Sequence, residues 1–434
     1  MDYKRQIQRV VDYIKSGEKS RKDFTIGVEM EHFVVDKDDL HTISYYGKDG
    51  VGETLEELTK DGFIPYKEGE YILGLEKDKI TVSTEPGSQF EIAIESKCCV
   101  KKLEKEYINF FKMFLPILDK KNQMLVPLGY HPNMKIDEIK ILPKERYGHM
   151  YRYFQTNGTM SHNMMKGTSS LQITVDFENE DDFKKKYRVL NALSPVMYAM
   201  FDNTYIFEKE PTKEYNIRQK IWENTDPDRS GVFELSMDKD VSYKKYAEKI
   251  LNTPIIFDEV NGDTVYTGAK LFKDIFDPEK DGDDKIFHAL SIVFPDIRVK
   301  KYIEIRMMDA VKYPLNFSCV ALVKGLVYFD ENLDKLNEMF KDTTFEDIQK
   351  AKEETKLKGL QGEYRGERIV DIAKKIINMA EEVLEDEEKP YLKPLKKLME
   401  EEKSPRDKFK EIYNKDGLKK AVEKSALSLE ELDV

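Results

Sequence analysis

Alternation of apolar and polar residues predicts four strands that share an unusual polar face. The segments are residues 23–35, 88–96, 169–177 and 302–310, and in each of them apolar side chains recur at every second position over much of the run. Because successive side chains of a strand point to opposite faces of its sheet, each strand is expected to rest its apolar face on a core. The opposite face of each strand is then free to carry polar groups.

Apolar residues spaced three and four apart predict the helices. They are expected in the N-terminal segment, which ends at Gly17, and at residues 53–60, 100–121 and 180–201. Near the end of the chain the pattern is mostly helical and highly charged, and no flexible linker precedes it. Residues 330–434 are therefore predicted to form a helical layer packed on the sheet.

Shorter signals complete the predicted sheet. Residues 70–76 and 79–84 are expected to form a hairpin, and a further strand is expected around residues 124–130. Residues 142–170 carry few regular signals and are predicted to be a long, irregular segment, which their aromatic residues favour as ordered. Together these elements predict an α+β chain folded as a single domain over residues 1–434.

The polar faces of the four alternating strands hold mainly acids and amides. If the strands are neighbours, their carboxylates converge and repel each other unless positive charge lies among them. Hard oxygen ligands of this kind suit Mg²⁺ or Mn²⁺, and several such ions on one face would suit a polyphosphate. One strand with two outward glutamates is more often a solvated surface, but recurrence on four strands favours a site. The polar residues are Glu29, Glu31, Glu91, Gln172, Glu304 and Arg306.

Composition excludes several classes of protein. The chain has 434 residues, 40% of them hydrophobic, and a formal net charge of −12. That size allows a substantial core, whereas an acidic excess argues against a nucleic-acid partner. No apolar run reaches the length of a membrane span, so no membrane partner is expected. Cys98, Cys99 and Cys319 form no disulfide framework and the first residues contain no apolar signal core, which favours a reducing cytosol.

Common catalytic signatures are missing from the sequence. It contains no GxxxxGK[ST] phosphate loop, no GxGxxG dinucleotide motif, no HExxH zinc motif and no GxSxG nucleophile motif. The six histidines are scattered along the chain. A nucleotide enzyme built on this sequence would therefore hold phosphate through metal ions on a sheet and not through a glycine-rich loop.

Seven segments resemble motifs of the plant-type glutamate–cysteine ligases, in the same order and with similar spacing over about residues 23–390. IGVEMEHF is similar to their IGxExExF, STEPGSQFE to SLEPGGQFE, and LPKERYGHMYRYF to PKGRYxIMxxYM. MMKGTSSLQITVDF is similar to MMxRTCTVQVNLDF, and IRQKIWENTDPDRSG to RSHIWxDTDxDRTG. FPDIRVKKYIEIRMMDA is similar to FPEVRLKRYLEMRGADG, and GLQGEYRGERIVDIAKKII to a late helical motif. Such an ordered series is far more specific than any one motif.

This resemblance implies a fold and a reaction. The fold would be glutamine-synthetase-like, a curved, mainly antiparallel sheet that forms a cradle and is covered outside by helices. In the reaction, ATP would phosphorylate the γ-carboxylate of L-glutamate, and the amino group of L-cysteine would attack the acyl phosphate. The product, γ-glutamylcysteine, is the first intermediate of glutathione synthesis. The resemblance leaves a monomer and a homodimer equally open.

The resemblance also assigns expected roles to individual residues. Arg306 would stabilise the transferring phosphoryl group and, with Glu91, is expected to be catalytic. Arg146 and Arg218 match two arginines that look placed to clamp substrate carboxylates, as a guanidinium fork can. Trp222 and Arg229 are expected to shape the same substrate pocket, although packing and a loop salt bridge are alternatives for them. The expected ligands for Mg²⁺ or Mn²⁺ are Glu29, Glu31, Glu85, Glu91, Gln172 and Glu304.

The sequence departs from the family pattern at several positions. Ser88 stands where the pattern has glycine, and residues 167–170 lack the arginine found before the motif glutamine. Met307, Met308 and Ala310 replace the small residues that follow the motif arginine. These last changes concern the expected cysteine pocket and nucleotide rim. They leave open a related ATP-dependent carboxylate–amine ligase with another acceptor, and beyond it a non-catalytic homologue that binds nucleotide or glutamate.

Overall fold

A computed structural model describes residues 2–260 and 262–433, and within them short and long strands alternate with helices. The strands are β1 (Ile26–Asp36), β2 (Ile64–Glu68), β3 (Tyr71–Lys77), β4 (Ile80–Thr84), β5 (Phe90–Lys97), β6 (Gln123–Val126), β7 (Ser170–Val175), β8 (Ile206–Phe207), β9 (Glu210–Pro211), β10 (Ser230–Gly231), β11 (Pro254–Val260), β12 (Asp263–Leu271), β13 (Phe294–Pro295), β14 (Ile297–Val299), β15 (Ile303–Asp309), β16 (Glu363–Tyr364) and β17 (Glu367–Arg368).

The helices lie between and after these strands. They are α1 (Tyr3–Lys15), α2 (Val51–Thr59), α3 (Val100–Lys120), α4 (Glu145–Tyr153), α5 (Ser161–Gly167), α6 (Glu180–Ala192), α7 (Ser194–Met200), α8 (Ile217–Glu223), α9 (Tyr243–Leu251), α10 (Phe272–Ile275), α11 (Asp283–Ser291), α12 (Leu315–Val327), α13 (Asp330–Met339), α14 (Phe345–Lys358), α15 (Ile369–Val383), α16 (Lys393–Glu400), α17 (Pro405–Ser425) and α18 (Leu429–Leu432). None of the helices in the described ranges is both long enough and apolar enough to cross a lipid bilayer.

Nine strands form one sheet in which every pairing is antiparallel. Eight of them follow the order β14-β15-β7-β1-β5-β4-β3-β2, and β6 pairs with the far half of β1. The register sets Glu31 opposite Glu91 and Glu29 opposite Gln172. Since paired residues point to the same face, the acidic faces of the central strands coincide. The predicted α+β class with a mainly antiparallel sheet is confirmed.

The apolar face of this sheet rests on two buried helices. Phe90 of β5 stacks on Phe114 of α3 with ring centres 4.3 Å apart, and Ile92 of the same strand is fully buried. Helix α12, which also packs on β1 and β7, contributes Phe317 to the same core. Burial of this face leaves only the acidic face of the central strands available for a ligand.

The C-terminal helices pack against the rest of the chain in two places. Helix α15 lies on α7 and α12, while α17 covers the outer half of β1 and its partner β6. There Phe409 and Val422 of α17 form a second apolar cluster with Phe33 and Val126 of the sheet. These contacts are those expected of a helical layer, and the division of the chain into one domain stays a prediction.

Several elements differ from the expectations. Residues 142–170 contain α4 and α5, because Tyr147, Met150 and Tyr153 together form a buried helical face despite the glycine and serine content. The helix expected at 180–201 is two helices, since Pro195 lies in the first turn of α7 and starts a new one. The hairpin of β11 and β12, which the pattern did not predict, borders the acidic face of the sheet.

Candidate active site

A cavity of about 480 Å³ lies on the acidic face of the sheet. Its floor is formed by side chains of β1, β5 and β7, and its walls by α4, α5, α8, the β11–β12 hairpin, α11 and β14–β15. All but two of the side chains expected in the site line it. Those lining the cavity are Glu29, Glu31, Glu85, Glu91, Arg146, Gln172, Arg218, Trp222 and Arg306, and the two that do not are Arg229 and Glu304.

A tight turn before β5 delivers Glu85 to the same cavity. The backbone N–H of Ser88 donates to the carbonyl of Glu85 over 2.8 Å, and that of Gly87 donates to the side chain of Gln89 over 2.8 Å. Ser88 adopts the left-handed conformation with φ of 69°, which explains why the family pattern has glycine there. Its hydroxyl accepts a hydrogen bond from the N–H of Tyr45 over 2.9 Å, and this bond stabilises the turn.

Carboxylates crowd the floor and disfavour one another's ionisation. Burial and the nearby Glu85 raise the pKa of Glu31 to about 7, although Ser170 donates its N–H to Glu31 over 2.8 Å. Burial, with Glu29, Glu85 and Glu31 around it, raises the pKa of Glu91 well above its ordinary value. Burial and Glu304 likewise raise the pKa of Glu29. The folded protein therefore disfavours full ionisation of these carboxylates unless further positive charge enters the cavity.

Whether this floor can hold a divalent cation depends on donor type and on spacing. The donor type fits, because carboxylate oxygens short of positive charge are what Mg²⁺ and Mn²⁺ prefer. The carboxylates do not form a complete ion site by themselves: within residues 2–260 and 262–433, no three His, Cys, Asp or Glu side chains are grouped closely enough to hold an ion. Mg²⁺ is commonly bound by one or two carboxylates together with phosphate oxygens, and the floor is compatible with that mode.

Glu304 lies beside the cavity and among cations. It is fully buried, and it forms ion pairs with Arg298 of β14 and with Arg306, the latter over 3.2 Å. Lys300 is 3.7 Å away on the other side. Burial alone would raise the pKa of Glu304, but these cations hold it well below its usual range. Glu304 therefore organises the arginines at this end of the sheet.

Helix α8 brings Arg218 and Trp222 to the wall beside Arg306. The Nε and Nη2 atoms of Arg218 donate to the backbone carbonyl of Arg306 over 3.3 and 3.0 Å. The two guanidinium groups lie 5.3 Å (Arg218) and 6.0 Å (Arg306) from the Trp222 ring centre. Among the described residues, three buried donors of this group have no hydrogen-bond partner: Arg218 Nη1, Trp222 Nε1 and Arg306 Nε.

Helix α4 presents Arg146 to the cavity. Its guanidinium lies 4.9 Å from the centre of the Tyr147 ring, and its Nη2 donates to the Tyr147 hydroxyl over 3.2 Å. That hydroxyl in turn lies 3.4 Å from Oε1 of Glu85. Arg146 therefore faces the acidic floor across the cavity and is oriented by a buried aromatic ring.

Arg229 is enclosed behind the cavity and joins its walls. It pairs with Asp226 over 2.7 Å and donates to the carbonyls of Ile292 and Pro254 over 2.8 and 3.0 Å. Its Nη2 also reaches the Tyr153 hydroxyl at the end of α4 over 3.3 Å. These contacts match the alternative of a loop salt bridge and leave Arg229 outside the cavity.

Sequence reasoning missed two cations and the cover of the cavity. Arg298 and Lys300 alternate in the segment just before Glu304, so their common face was readable, but the turn that folds them back onto Glu304 was not. Burial and neighbouring Arg298 lower the pKa of Lys300 to about 8. Phe257 from the β11–β12 hairpin and Phe287 from α11 cover the mouth, and no motif marked them.

The substitutions that follow the motif arginine do not reach the cavity. Met307 and Met308 are fully buried and Ala310 is nearly so, and none of the three is among the described side chains that line it. Met307 and Met308 belong to the main hydrophobic core. The departure that placed the acceptor pocket most in question is therefore a change of packing.

Comparisons with known proteins show the family to which the chain belongs. The model of a family described as glutamate–cysteine ligase family 2 matches residues 25–425. Glutamate–cysteine ligase B, chloroplastic, of Oryza sativa subsp. japonica is 27% identical over 381 residues, which cover 86% of this chain and 76% of that protein. The chloroplastic glutamate–cysteine ligase of Arabidopsis thaliana is 25% identical over 416 residues, which cover 93% and 79% of the two chains.

A solved structure shares the fold. The glutamate–cysteine ligase of Francisella tularensis, crystallised in complex with AMP, superposes with a TM-score of 0.57 over 94% of this chain and 89% of its own. Its sequence is 13% identical. The similarity at this identity concerns the architecture of sheet and helices.

Proposed function

The chain belongs to glutamate–cysteine ligase family 2, whose members form γ-glutamylcysteine with ATP, and we propose that the cavity on the acidic sheet face is where this chain does so. The reaction joins the γ-carboxylate of L-glutamate to the amino group of L-cysteine through a γ-glutamyl phosphate. L-Glutamate, L-cysteine and ATP are its substrates. Cytosolic location and assembly as a monomer or homodimer stay predictions.

One observation carries the assignment of the cavity. Three buried donors without a partner in the described chain, on Arg218, Trp222 and Arg306, line the same cavity as carboxylates whose pKa values are raised by burial and by their mutual repulsion. Buried polar groups are rarely left unpaired, so such a wall is suited to an anionic ligand. The carboxylates of the floor are suited at the same time to binding cations. A substrate with carboxylates and phosphates, accompanied by cations, matches both surfaces.

The arginines divide the anionic groups of the substrates between them. Arg306, backed by Glu304, is fixed without being neutralised, because Glu304 is shared with Arg298. We assign it to the transferring phosphoryl group, whose equatorial oxygens gain charge in the transition state. Arg218 and Arg146 present guanidinium groups from two different helices, α8 and α4, and would hold substrate carboxylates. With both ends of glutamate held, the γ-carboxylate can meet the phosphoryl group in a fixed orientation.

We further propose that Mg²⁺ or Mn²⁺ enters with the nucleotide and is held on the floor. Glu29, Glu31, Glu85, Glu91 and Gln172 offer oxygen ligands there, and the ion would shield the phosphate charge. Glu304 is less suited to this role than the sequence indicated, because three cations already surround it. Phe257 and Phe287 at the mouth would exclude water from the acyl phosphate.

The proposal is tested by the products and by the acceptor. ADP release is measured with L-glutamate and ATP in the presence of L-cysteine and of a panel of other amino acids, and the product is identified by mass. We expect L-cysteine to stimulate ADP release most and to yield γ-glutamylcysteine. Stronger stimulation by another amine would transfer the assignment to a related carboxylate–amine ligase. No stimulation by any amine would indicate a non-catalytic homologue.

Removal of divalent cations is expected to stop the reaction. Excess chelator should reduce ADP release to background, because the crowded floor and the triphosphate repel each other without cations between them. Addition of Mg²⁺ or Mn²⁺ beyond the chelator should restore the rate, whereas Ca²⁺ provides a control for ionic strength. A rate that persists in excess chelator would contradict the role given to the floor.

A further inference from the structure

A buried arginine outside the cavity, Arg406, stands at the beginning of α17 in the C-terminal part of the chain. Its side chain is 1% exposed, and it does not line the cavity. A guanidinium is costly to bury unless it is paired and hydrogen-bonded. The contacts of Arg406 therefore indicate what the chain gains from burying it.

Arg406 fastens the segment that leads into α8. Its Nη2 donates to the carbonyls of Thr212 and Glu214 over 2.7 and 3.1 Å. Its guanidinium lies 4.1 Å from the centre of the Tyr215 ring. Residues 212–215 precede Asn216, the N-cap of α8, so Arg406 ties this part of the chain to α17.

The same arginine supports Asp202, which holds the first residue of the turn into α8. Arg406 Nε lies 3.9 Å from Oδ2 of Asp202, and that oxygen accepts the backbone N–H of Asn216 over 3.0 Å. Asn216 caps α8 in the left-handed conformation, with φ of 51° and ψ of 50°. A left-handed residue is held in place by its contacts, so Asp202 sets the direction in which α8 leaves.

Asp202 also belongs to a loop that is tied to the catalytic strand. The N–H of Asn203 and the hydroxyl of Thr204 donate to Asp309 at the end of β15, over 2.8 and 2.9 Å. Asp309 is on the strand that carries Arg306. The loop at 202–204 therefore connects α17, the beginning of α8 and the strand of the phosphoryl-binding arginine.

We propose that Arg406 is a positioning residue for the substrate-binding wall. Arg406 fixes Asp202 and residues 212–215, and these in turn fix Asn216 at the start of α8. Arg218 lies two residues after Asn216, and its Nη1 has no partner in the described chain and is free for a carboxylate. Loss of Arg406 lets α8 tilt and weakens the hold on L-glutamate. Arg306 stays aligned by its own contacts with Glu304 and Gln172, and the strand pairing holds the acidic floor. The inference rests on the proposed role of Arg218 as a ligand for the glutamate carboxylate.

The test compares Arg406→Met with the wild-type full-length enzyme in steady-state kinetics. We expect KM for L-glutamate to rise about tenfold, since small displacements of a binding group have effects of that size or larger. The values of kcat and of KM for ATP should stay within about twofold. Arg406→Lys keeps the charge without the fork and should recover part of the glutamate affinity, and Asp202→Asn should repeat the defect.

The control is Arg368→Met, which removes a half-buried arginine paired with Asp371 and Glu402 elsewhere among the C-terminal elements. It should leave all three kinetic constants unchanged. The inference is overturned if no soluble variant at 406 or 202 raises KM for glutamate. It is also overturned if kcat and every KM change together in proportion to lost thermal stability, as a merely structural role would cause. An inactive wild-type enzyme would instead overturn the proposed function.

Discussion

Replacing Glu91 with glutamine should abolish turnover and at the same time make the ligand-free protein harder to unfold. The substitution keeps the shape of a side chain at the centre of the acidic floor and removes its charge. Since Glu91 binds neither cation nor arginine in the described chain but accepts the Ser83 hydroxyl over 2.6 Å, its fold-related contact survives. We expect kcat to fall at least about a thousandfold, the size seen when a preorganised charge is lost.

The stability gain has a sign fixed by the raised pKa of Glu91. Its pKa in the folded protein lies above that in the unfolded chain, so the folded state resists ionisation. The unfolding free energy of the wild type should therefore fall, relative to Glu91→Gln, as the pH rises from about 4.5 upward. Denaturant unfolding of both proteins at several pH values, without metal or nucleotide, measures the difference.

Glu95 of the same strand provides the matched control. It is exposed at the sheet rim and paired with Lys79 and Lys97 over 3.3 and 3.1 Å. Glu95→Gln should leave kcat unchanged and give no comparable increase in stability. Near-normal turnover in Glu91→Gln would remove Glu91 from the catalytic group. Unchanged stability at high pH would contradict the crowding of the floor.

Replacing Arg306 with alanine should lower kcat by about three orders of magnitude with a modest loss of stability. The guanidinium is aligned by Glu304 and by the side-chain oxygen of Gln172. Removal leaves Glu304 paired with Arg298, so no buried charge is stranded, but Gln172 loses a partner. The cost to the unfolding free energy should be about 1–3 kcal/mol. Single-turnover measurement of glutamyl phosphate formation separates the chemical step from binding.

Two further variants are the controls for Arg306→Ala. Arg306→Lys retains the charge but not the planar fork, and it should recover part of the lost rate. Arg188→Ala removes an arginine that donates to the Met237 and Lys341 carbonyls over 2.6 and 3.0 Å, away from the cavity. It should cost similar stability and leave kcat intact. A normal rate in Arg306→Ala would place phosphoryl stabilisation elsewhere, with Arg298 and Lys300 as the next groups to change.

The floor of the cavity was predictable because a strand has only two faces. Alternation alone set Glu29 and Glu31 on one side of β1, and Glu91 and Gln172 on the polar sides of their own strands. The strand pairing then makes these sides coincide. Alternation does not show which cationic side chains of a neighbouring strand face a given carboxylate. Glu304 faces Arg298 because β14 folds back onto β15. This register depends on the turn between the two strands, which the alternation of apolar and polar residues does not specify.

The walls were predictable only in part. Arg146, Arg218 and Trp222 were found by family resemblance, whereas Arg229 belongs to the same motif and is enclosed behind the wall. A motif marks residues that the family requires, but it does not distinguish a residue that binds substrate from one that supports the wall. The β11–β12 hairpin brings Phe257 to the mouth through long-range packing, for which neither period nor motif is a guide.

The pairing of distant strands also has a consequence for how the protein is made. Ile26 of β1 pairs with Val175 of β7, which pairs in turn with Ile303 of β15. Contacts between such remote segments form slowly, because the entropy cost of closing a long loop comes before the contacts can stabilise the chain. On the ribosome, the carboxylates of the floor and Arg306 cannot meet until the chain has emerged past Asp309. Nucleotide binding in this cavity therefore requires the chain up to Asp309, and a nascent chain arrested earlier should bind none.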